Sequence, residues 1–263
     1  MNVRRVVRRL AKGAGIAFIA GTLGGAALLA AEVVAARSRT YAKPDLGLAV
    51  RTSLGSGGKP PLRLSLLGDA FALGVGVEAA EDTVGGQLAR MLADAGARVS
   101  LSTVAVSGAR SGDLATQVAR AQLGTKPDVA VIVVGANDAT HLVRPGEAAA
   151  SLATAVRRLR DGGTAVLVGT CPDLGAARAI APPLRQIAGW YGRRVARAQA
   201  SAARSAGATV IDLAGQAGPV FRADAGMLCT DGFHPSADGY RVIAYALFPA
   251  LAAAANLPSS IKE

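Results

Sequence analysis

The stretch Leu62-Arg63-Leu64-Ser65-Leu66-Leu67-Gly68-Asp69-Ala70-Phe71-Ala72-Leu73-Gly74 decides the fold. Its first six residues are a leucine-rich run of strand length, stopped by Gly68 and an acid, with a second glycine at 74. A short apolar run that ends on a glycine turn opens a strand–helix unit. The pattern repeats: the runs Arg98–Val104, Val129–Val134, Ala165–Gly169 and Thr209–Leu213 alternate with helically spaced stretches at about 81–95, 112–123, 146–161 and 180–206. Residues Ala237–Ala254 read as a closing helix.

Alternation of this kind predicts right-handed crossovers and a parallel sheet covered by helices on both faces. The expected fold is α/β, three-layered and flavodoxin-like, with a five-stranded parallel sheet whose ligands sit at the carboxyl ends of the strands. Composition agrees. Apolar residues make up 51% of the 263-residue chain and aromatics only 4%, so the core must be packed from Val, Leu, Ile and Ala. That length suits one core rather than two, and no internal repeat is visible.

Outward from this core, residues 61–256 form the expected domain and 257–263 a tail, with 37–60 as a linker carrying mixed charge, Pro44 and a Gly/Ser cluster. Residues 1–36 differ in kind: Arg4, Arg5, Arg8, Arg9 and Lys12 precede Gly13–Ala31, which is free of charge for 19 residues. That is close to a membrane-spanning length, and the preceding cations predict a cytoplasmic N-terminus. Two outcomes fit: an uncleaved transmembrane anchor, which the length of the run favours, or a signal peptide cut after Ala36. Either places the domain outside the cytoplasm, membrane-anchored or secreted. The net charge of +11 falls to +6 without those five cations, and the remainder is spread along helices with no basic run interleaved with aromatics. Nucleic acid is therefore not an expected partner.

Four short blocks could carry chemistry, and each follows a strand or precedes the last helix. They are Gly68-Asp69-Ala70, Ser107-Gly108, Gly135-Ala136-Asn137-Asp138, and Asp231-Gly232-Phe233-His234. Taken singly they have plainer readings. The glycines can permit tight turns, Asp69 can cap a turn, Asn137 and Asp138 can cap the helix that follows, Asp231 and His234 can form a surface ion pair, and His141 can lie on a cleft wall or the surface. Two histidines and two cysteines fall at no metal-ligand spacing, and no glycine loop that cradles phosphate opens a helix, so neither metal nor cofactor is expected.

Taken together and in this order, the blocks resemble the SGNH (GDSL-type) ester hydrolases over roughly residues 61–255. The resemblance implies a site for acyl or acetyl esters of lipids, glycans or small alcohols. His234 would be the general base and Asp231 the carboxylate that holds it. The backbone N–H groups of Ala70 and Gly108 and the side chain of Asn137 would form the oxyanion hole. Where the family's pattern has serine, this chain has Ala70. Alanine cannot form an acyl-enzyme, so the expected product of this sequence is an ester-hydrolase scaffold that is inactive or nearly so. The alternative is a catalytically silent envelope protein that binds an acyl ester or glycan in the same cleft. Ser107 and Ser111 are the nearest substitute hydroxyls in sequence but follow a different strand. Cys171, after the fourth strand, and Cys229, before the His234 loop, are expected at the same rim, either as a disulfide or as two thiols.

Overall fold

Residues Val129–Val133 are buried at every position, so the strand they form has no solvent face and must lie at the middle of a covered sheet. The computed structural model, which describes residues 25–43, 51–56 and 60–258, places it there. In chain order the elements are α1 (25–38), β1 (Arg51–Leu54), β2 (Leu62–Gly68), α2 (Ala70–Leu73), α3 (Val84–Asp94), β3 (Val99–Thr103) and α4 (Leu114–Ala121). They continue with β4 (Val129–Val133), α5 (Ala136–Thr140), α6 (Pro145–Asp161), β5 (Ala165–Gly169), α7 (Leu184–Ser205) and β6 (Thr209–Ile211). Last come α8 (Leu213–Gln216), α9 (Gly218–Ala223) and α10 (Ala237–Ala254).

The sheet order is β1-β3-β2-β4-β5-β6, with β3-β2-β4-β5-β6 all parallel. The five expected strands therefore occur in the flavodoxin-like order 2-1-3-4-5. A sixth strand corrects the expected count and makes the sheet mixed. Residues Arg51–Leu54, within the stretch read as linker, pair antiparallel with β3, Thr52 opposite Leu101 and Leu54 opposite Val99. Four residues without strong alternation give too weak a pattern to be read as a strand, and it is the free edge of β3 that recruits them.

Alternate side chains of each strand face opposite layers. Leu64, Leu66, Val129, Val131 and Val133 join a core with α3 and α10, including Leu88, Leu92, Tyr240, Leu247 and Phe248. Leu67, Ala130, Ile132, Val166 and Val168 face α4 and α6, meeting Leu114, Val118, Leu152, Val156 and Leu159. Each buried Val, Leu or Ile contributes about 1.5–3 kcal/mol of transfer free energy. Two faces of small aliphatic side chains thus hold the layers without many aromatics. The start of α7 is held back to Leu184 by Pro182 and Pro183.

Among the described residues no helix is long and apolar enough to cross a membrane. The apolar run read as an anchor lies mostly outside them: only residues 25–31 are described, in α1.

Candidate active site

The carboxyl end of β2 sets the geometry. Gly68 leaves the sheet at φ +133°, and a Cβ there would fall 1.8 Å from the carbonyl oxygen of Val133, so only glycine lets the strand end this close to β4. Gln117, buried on α4, accepts from Gly68 N–H at 2.7 Å and donates to Gly68 O at 2.9 Å. Val106 N–H also donates to Gly68 O, and Asp69 N–H donates to Val133 O, both at 3.1 Å. The loops after three neighbouring strands are thereby stapled together. Asp69 caps α2, its Oδ1 accepting from Phe71 N–H at 3.0 Å, and Ala70 is the first residue of that helix, buried to 4% exposure.

The loop after β4 joins the same staple. Gly135, at φ +132°, caps α5, and a side chain there would meet Cys171 and Gln199. Asn137 Nδ2 donates one of its two hydrogens to Ala109 O at 3.1 Å, which holds it beside Gly108. Asp138 accepts from Ser111 N–H and, at 3.0 Å, from Ser111 Oγ. Ser111 is thus buried and committed to that carboxylate, which removes it as a substitute nucleophile. The backbone N–H groups of Ala70 and Gly108 have no acceptor among the described residues. With the second hydrogen of Asn137, three donors remain available at the ends of β2, β3 and β4.

The fourth block enters from the far end of the chain. An isolated bridge between Leu228 and Pro235, with Cys229 N–H donating to His234 O at 2.8 Å, closes a tight loop. Inside it Asp231 Oδ1 accepts from Phe233 N–H at 2.7 Å and His234 N–H at 2.9 Å, and Oδ2 lies 2.7 Å from His234 Nδ1. No protein group among the described residues bonds Nε2, the nitrogen a base would use. The ring centroids of Phe233 and Phe71 lie 5.2 and 6.1 Å from that of His234, so α2 and the histidine loop are packed on each other. Tyr240, buried on α10, donates to Val75 O at 2.7 Å and lies 3.3 Å from Ala70 O.

Charge follows this packing. Burial alone would raise Asp231, but the hydrogen bonds from His234, Ala42 and Phe233 outweigh it and hold the carboxyl well below the usual range. Asp69 goes the other way: burial, with Asp138 adding to it, pushes it up to about 7 against the pull of the N–H groups of Phe71, Gly135 and Ala136. Its Oδ2 has no hydrogen-bond partner among the described residues. Asp138 is also raised by burial, against its bonds from Ser111.

Ala70, Gly108, Asn137, Asp231 and His234 are thus brought to one end of the sheet. One plainer reading changes: Asn137 is not a helix cap, since Gly135 takes that place. Of the two alternatives left open for Cys171 and Cys229, the structure has the pair of free thiols rather than the disulfide. Cys171 Sγ packs towards α7, where a Cβ on Gly192 would lie 3.5 Å from it, whereas Cys229 Sγ faces the Gly76 turn. His141 is exposed, its Nδ1 2.9 Å from Asn137 O. Sequence reading missed Gln117 and Gln199, polar residues on amphipathic helices whose only signal was an amide on the apolar stripe. Among the described residues no three His, Cys, Asp or Glu side chains are grouped to hold a metal ion.

Comparison with known proteins bears on family and fold. The model of the GDSL-like Lipase/Acylhydrolase family matches residues 66–242. The GDSL-like esterase Rv1075c of Mycobacterium tuberculosis (strain ATCC 25618 / H37Rv) is 46% identical over 193 residues, 72% of this chain and 62% of that protein. The chain therefore spans less than two thirds of that relative's length. Among solved structures, the psychrotrophic esterase EstA of Pseudoalteromonas sp. superposes with a TM-score of 0.59 at 16% identity, covering 74% of this chain and 99% of that one. The lipase/acylhydrolase of Enterococcus faecalis does so with a TM-score of 0.55 at 21% identity, covering 76% and 98%. At these identities the structures show a shared fold.

Proposed function

Because the chain belongs to the GDSL-like lipase/acylhydrolase family, we propose that it carries an ester-recognising site of the serine-hydrolase type in which Ala70 has replaced the attacking hydroxyl. In this reading it binds an acyl or acetyl ester of a lipid, glycan or small alcohol and turns it over very slowly or not at all. The observation that carries it is the His234 Nδ1 to Asp231 Oδ2 contact of 2.7 Å, together with the N–H groups of Ala70 and Gly108 and one Asn137 hydrogen that have no acceptor among the described residues.

The division of labour follows from the chemistry. A hydroxyl at position 70 would attack the ester carbonyl carbon while His234 Nε2 took its proton, and Asp231 would stabilise the imidazolium. The N–H groups of Ala70 and Gly108 and Asn137 Nδ2 would hold the oxyanion. The proton would then return to the departing alkoxide, and water would repeat the sequence on the acyl-enzyme. With a methyl at 70 the first bond cannot form. Loss of the nucleophile costs about a millionfold in a serine hydrolase, leaving roughly a thousandfold over water from binding and the oxyanion hole.

A second reading, a silent binding protein of the cell envelope using the same cleft, is favoured by Ala70 itself. In both readings the domain lies outside the cytoplasm, and the apolar run of residues 13–31 is either an uncleaved anchor, which its length favours, or part of a signal peptide cut after Ala36.

Hydrolysis of short- and medium-chain nitrophenyl esters by the full chain, Ala70→Ser and Ala70→Ser/His234→Ala tests this. Ala70→Ser is expected to raise turnover at least a thousandfold, and His234→Ala to remove the gain. His234-dependent turnover by the unchanged chain would overturn the account of position 70. Inertness of all three, with retained binding of a non-hydrolysable ester analogue, would make the binding reading the correct one.

A further inference from the structure

Asp231 receives one hydrogen bond from far outside its own loop. Ala42 N–H donates to Oδ2 at 3.0 Å across a sequence separation of 189 residues, and it shares that oxygen with His234 Nδ1. The preceding residue, Tyr41, stands edge-on to Phe233 and His234, with centroids 5.5 and 6.4 Å away. Its hydroxyl donates to Ala36 O at 2.8 Å, near the end of α1, and Glu32 on α1 accepts from Leu184 N–H at 2.9 Å at the start of α7. The segment is therefore held upstream by α1 and downstream by β1 on β3.

We propose that residues 41–42 are a positioning strap for the base: Ala42 N–H and His234 share one oxygen of Asp231, and the Tyr41 ring covers the pair. The N-terminal segment then sets how strongly Asp231 draws the proton onto the imidazole. Its catalytic meaning rests on His234 being the base, while its geometry does not.

The place of the carboxylate does not depend on Ala42, because Oδ1 is held by the N–H groups of Phe233 and His234. What Ala42 takes is negative charge on the oxygen that faces Nδ1. Its removal returns that charge and strengthens the attraction of the carboxylate for an imidazolium on its Nδ1 side. Three other titratable groups respond to Asp231. The Cys229 thiol is pushed up to about 11 by burial first of all, and Tyr41 and Tyr240 are raised by burial, so all three are neutral near pH 7. Arg39 acts on Tyr41 and Asp69 on Tyr240. Asp69 titrates in the same range as a histidine, so the readout must be the His234 ring itself.

The experiment is an NMR titration of the imidazoles in the full, isotope-labelled chain, with exposed His141 as internal reference, together with hydrogen exchange at the Ala42 amide. Ala42→Pro, which removes the N–H, is expected to raise the His234 midpoint by about half a unit or more, roughly a threefold gain in proton affinity, and to leave His141 unchanged. Tyr41→Phe keeps the ring and the Ala42 contact and is expected to leave His234 unmoved. Asp231→Asn is expected to lower the midpoint. In the unchanged chain the Ala42 amide should exchange at least about a hundredfold more slowly than a free one. An unprotected Ala42 amide, or an unmoved midpoint in folded Ala42→Pro, overturns the strap. The exchange measurement decides the matter even if that variant does not fold. An Asp231→Asn midpoint equal to that of the unchanged chain would overturn the Asp231–His234 pair itself, and with it the base proposed above.

Discussion

Replacing Asp69 by asparagine should flatten the dependence of stability on pH. In the folded chain this carboxyl is buried, bonded through Oδ1 to Phe71 N–H and unpartnered at Oδ2, so it keeps its proton up to about pH 7. In the unfolded chain it ionises near 3.9. Between those values the folded state binds more protons than the unfolded state, so stability falls as pH rises. The contribution is therefore complete below about pH 4, is lost through pH 7, and stays lost above it. Three units at about 1.4 kcal/mol each give a loss of about 4 kcal/mol across the window. The amide of the variant would keep the acceptor for Phe71 N–H and cannot ionise. Urea unfolding of the unchanged chain and Asp69→Asn at pH 4.5, 6 and 8 should give curves that start close together and separate by up to about 4 kcal/mol in favour of the variant. Parallel curves would refute the reasoning, since they would mean that Asp69 is ionised, and stabilised as an anion, in the fold.

Two further outcomes follow from packing. Gly68→Ala must place a Cβ against Val133 O at a positive φ, and the backbone conformation alone costs about 1–3 kcal/mol. It should lower Tm by roughly 6 °C or more in thermal unfolding, and an unchanged Tm would mean that β2 does not end against β4 as described. The thiols should differ in reactivity: Cys171, buried, should label only on unfolding, and Cys229, held near 11, should label slowly at pH 7.5 and faster at pH 9. Mass spectrometry without reductant should show both thiols free.

Why some of this was legible and some was not comes down to range. Strand β4 announces itself because a strand buried on both faces must be apolar throughout, as Val129–Val133 is, while the half-exposed β3 and β6 are legible through their apolar runs and their place between helices, and the turn after β2 because Gly68 is demanded by a close backbone approach. The four blocks could be read because each lies within a few residues of a strand end, or of the last helix, and the order of the strands brings those ends together. What was missed depends on partners distant in the chain. Arg51–Leu54 becomes a strand only because β3 offers an open edge. The thiols Cys171 and Cys229 were expected near one rim, but the direction of each side chain is set by its packing against Gly192 and Gly76, which no local pattern records. Asp69 was readable as a turn cap and in the structure caps the short helix α2, yet its raised proton affinity comes from burial and from Asp138, neither visible at position 69.

The bond from Ala42 to Asp231 also has a consequence for the order of assembly. The segment around Ala42 leaves the ribosome early and is docked late, because its acceptor is made 189 residues afterwards. Chain synthesis proceeds at about 5–20 residues per second, so this segment waits on the order of ten seconds or more for its partner loop. Until then Tyr41 has no histidine loop to close upon. The Asp231–His234 pair is thus completed by contact with a part of the chain made long before it, and a nascent chain released early would lack both the histidine and that contact.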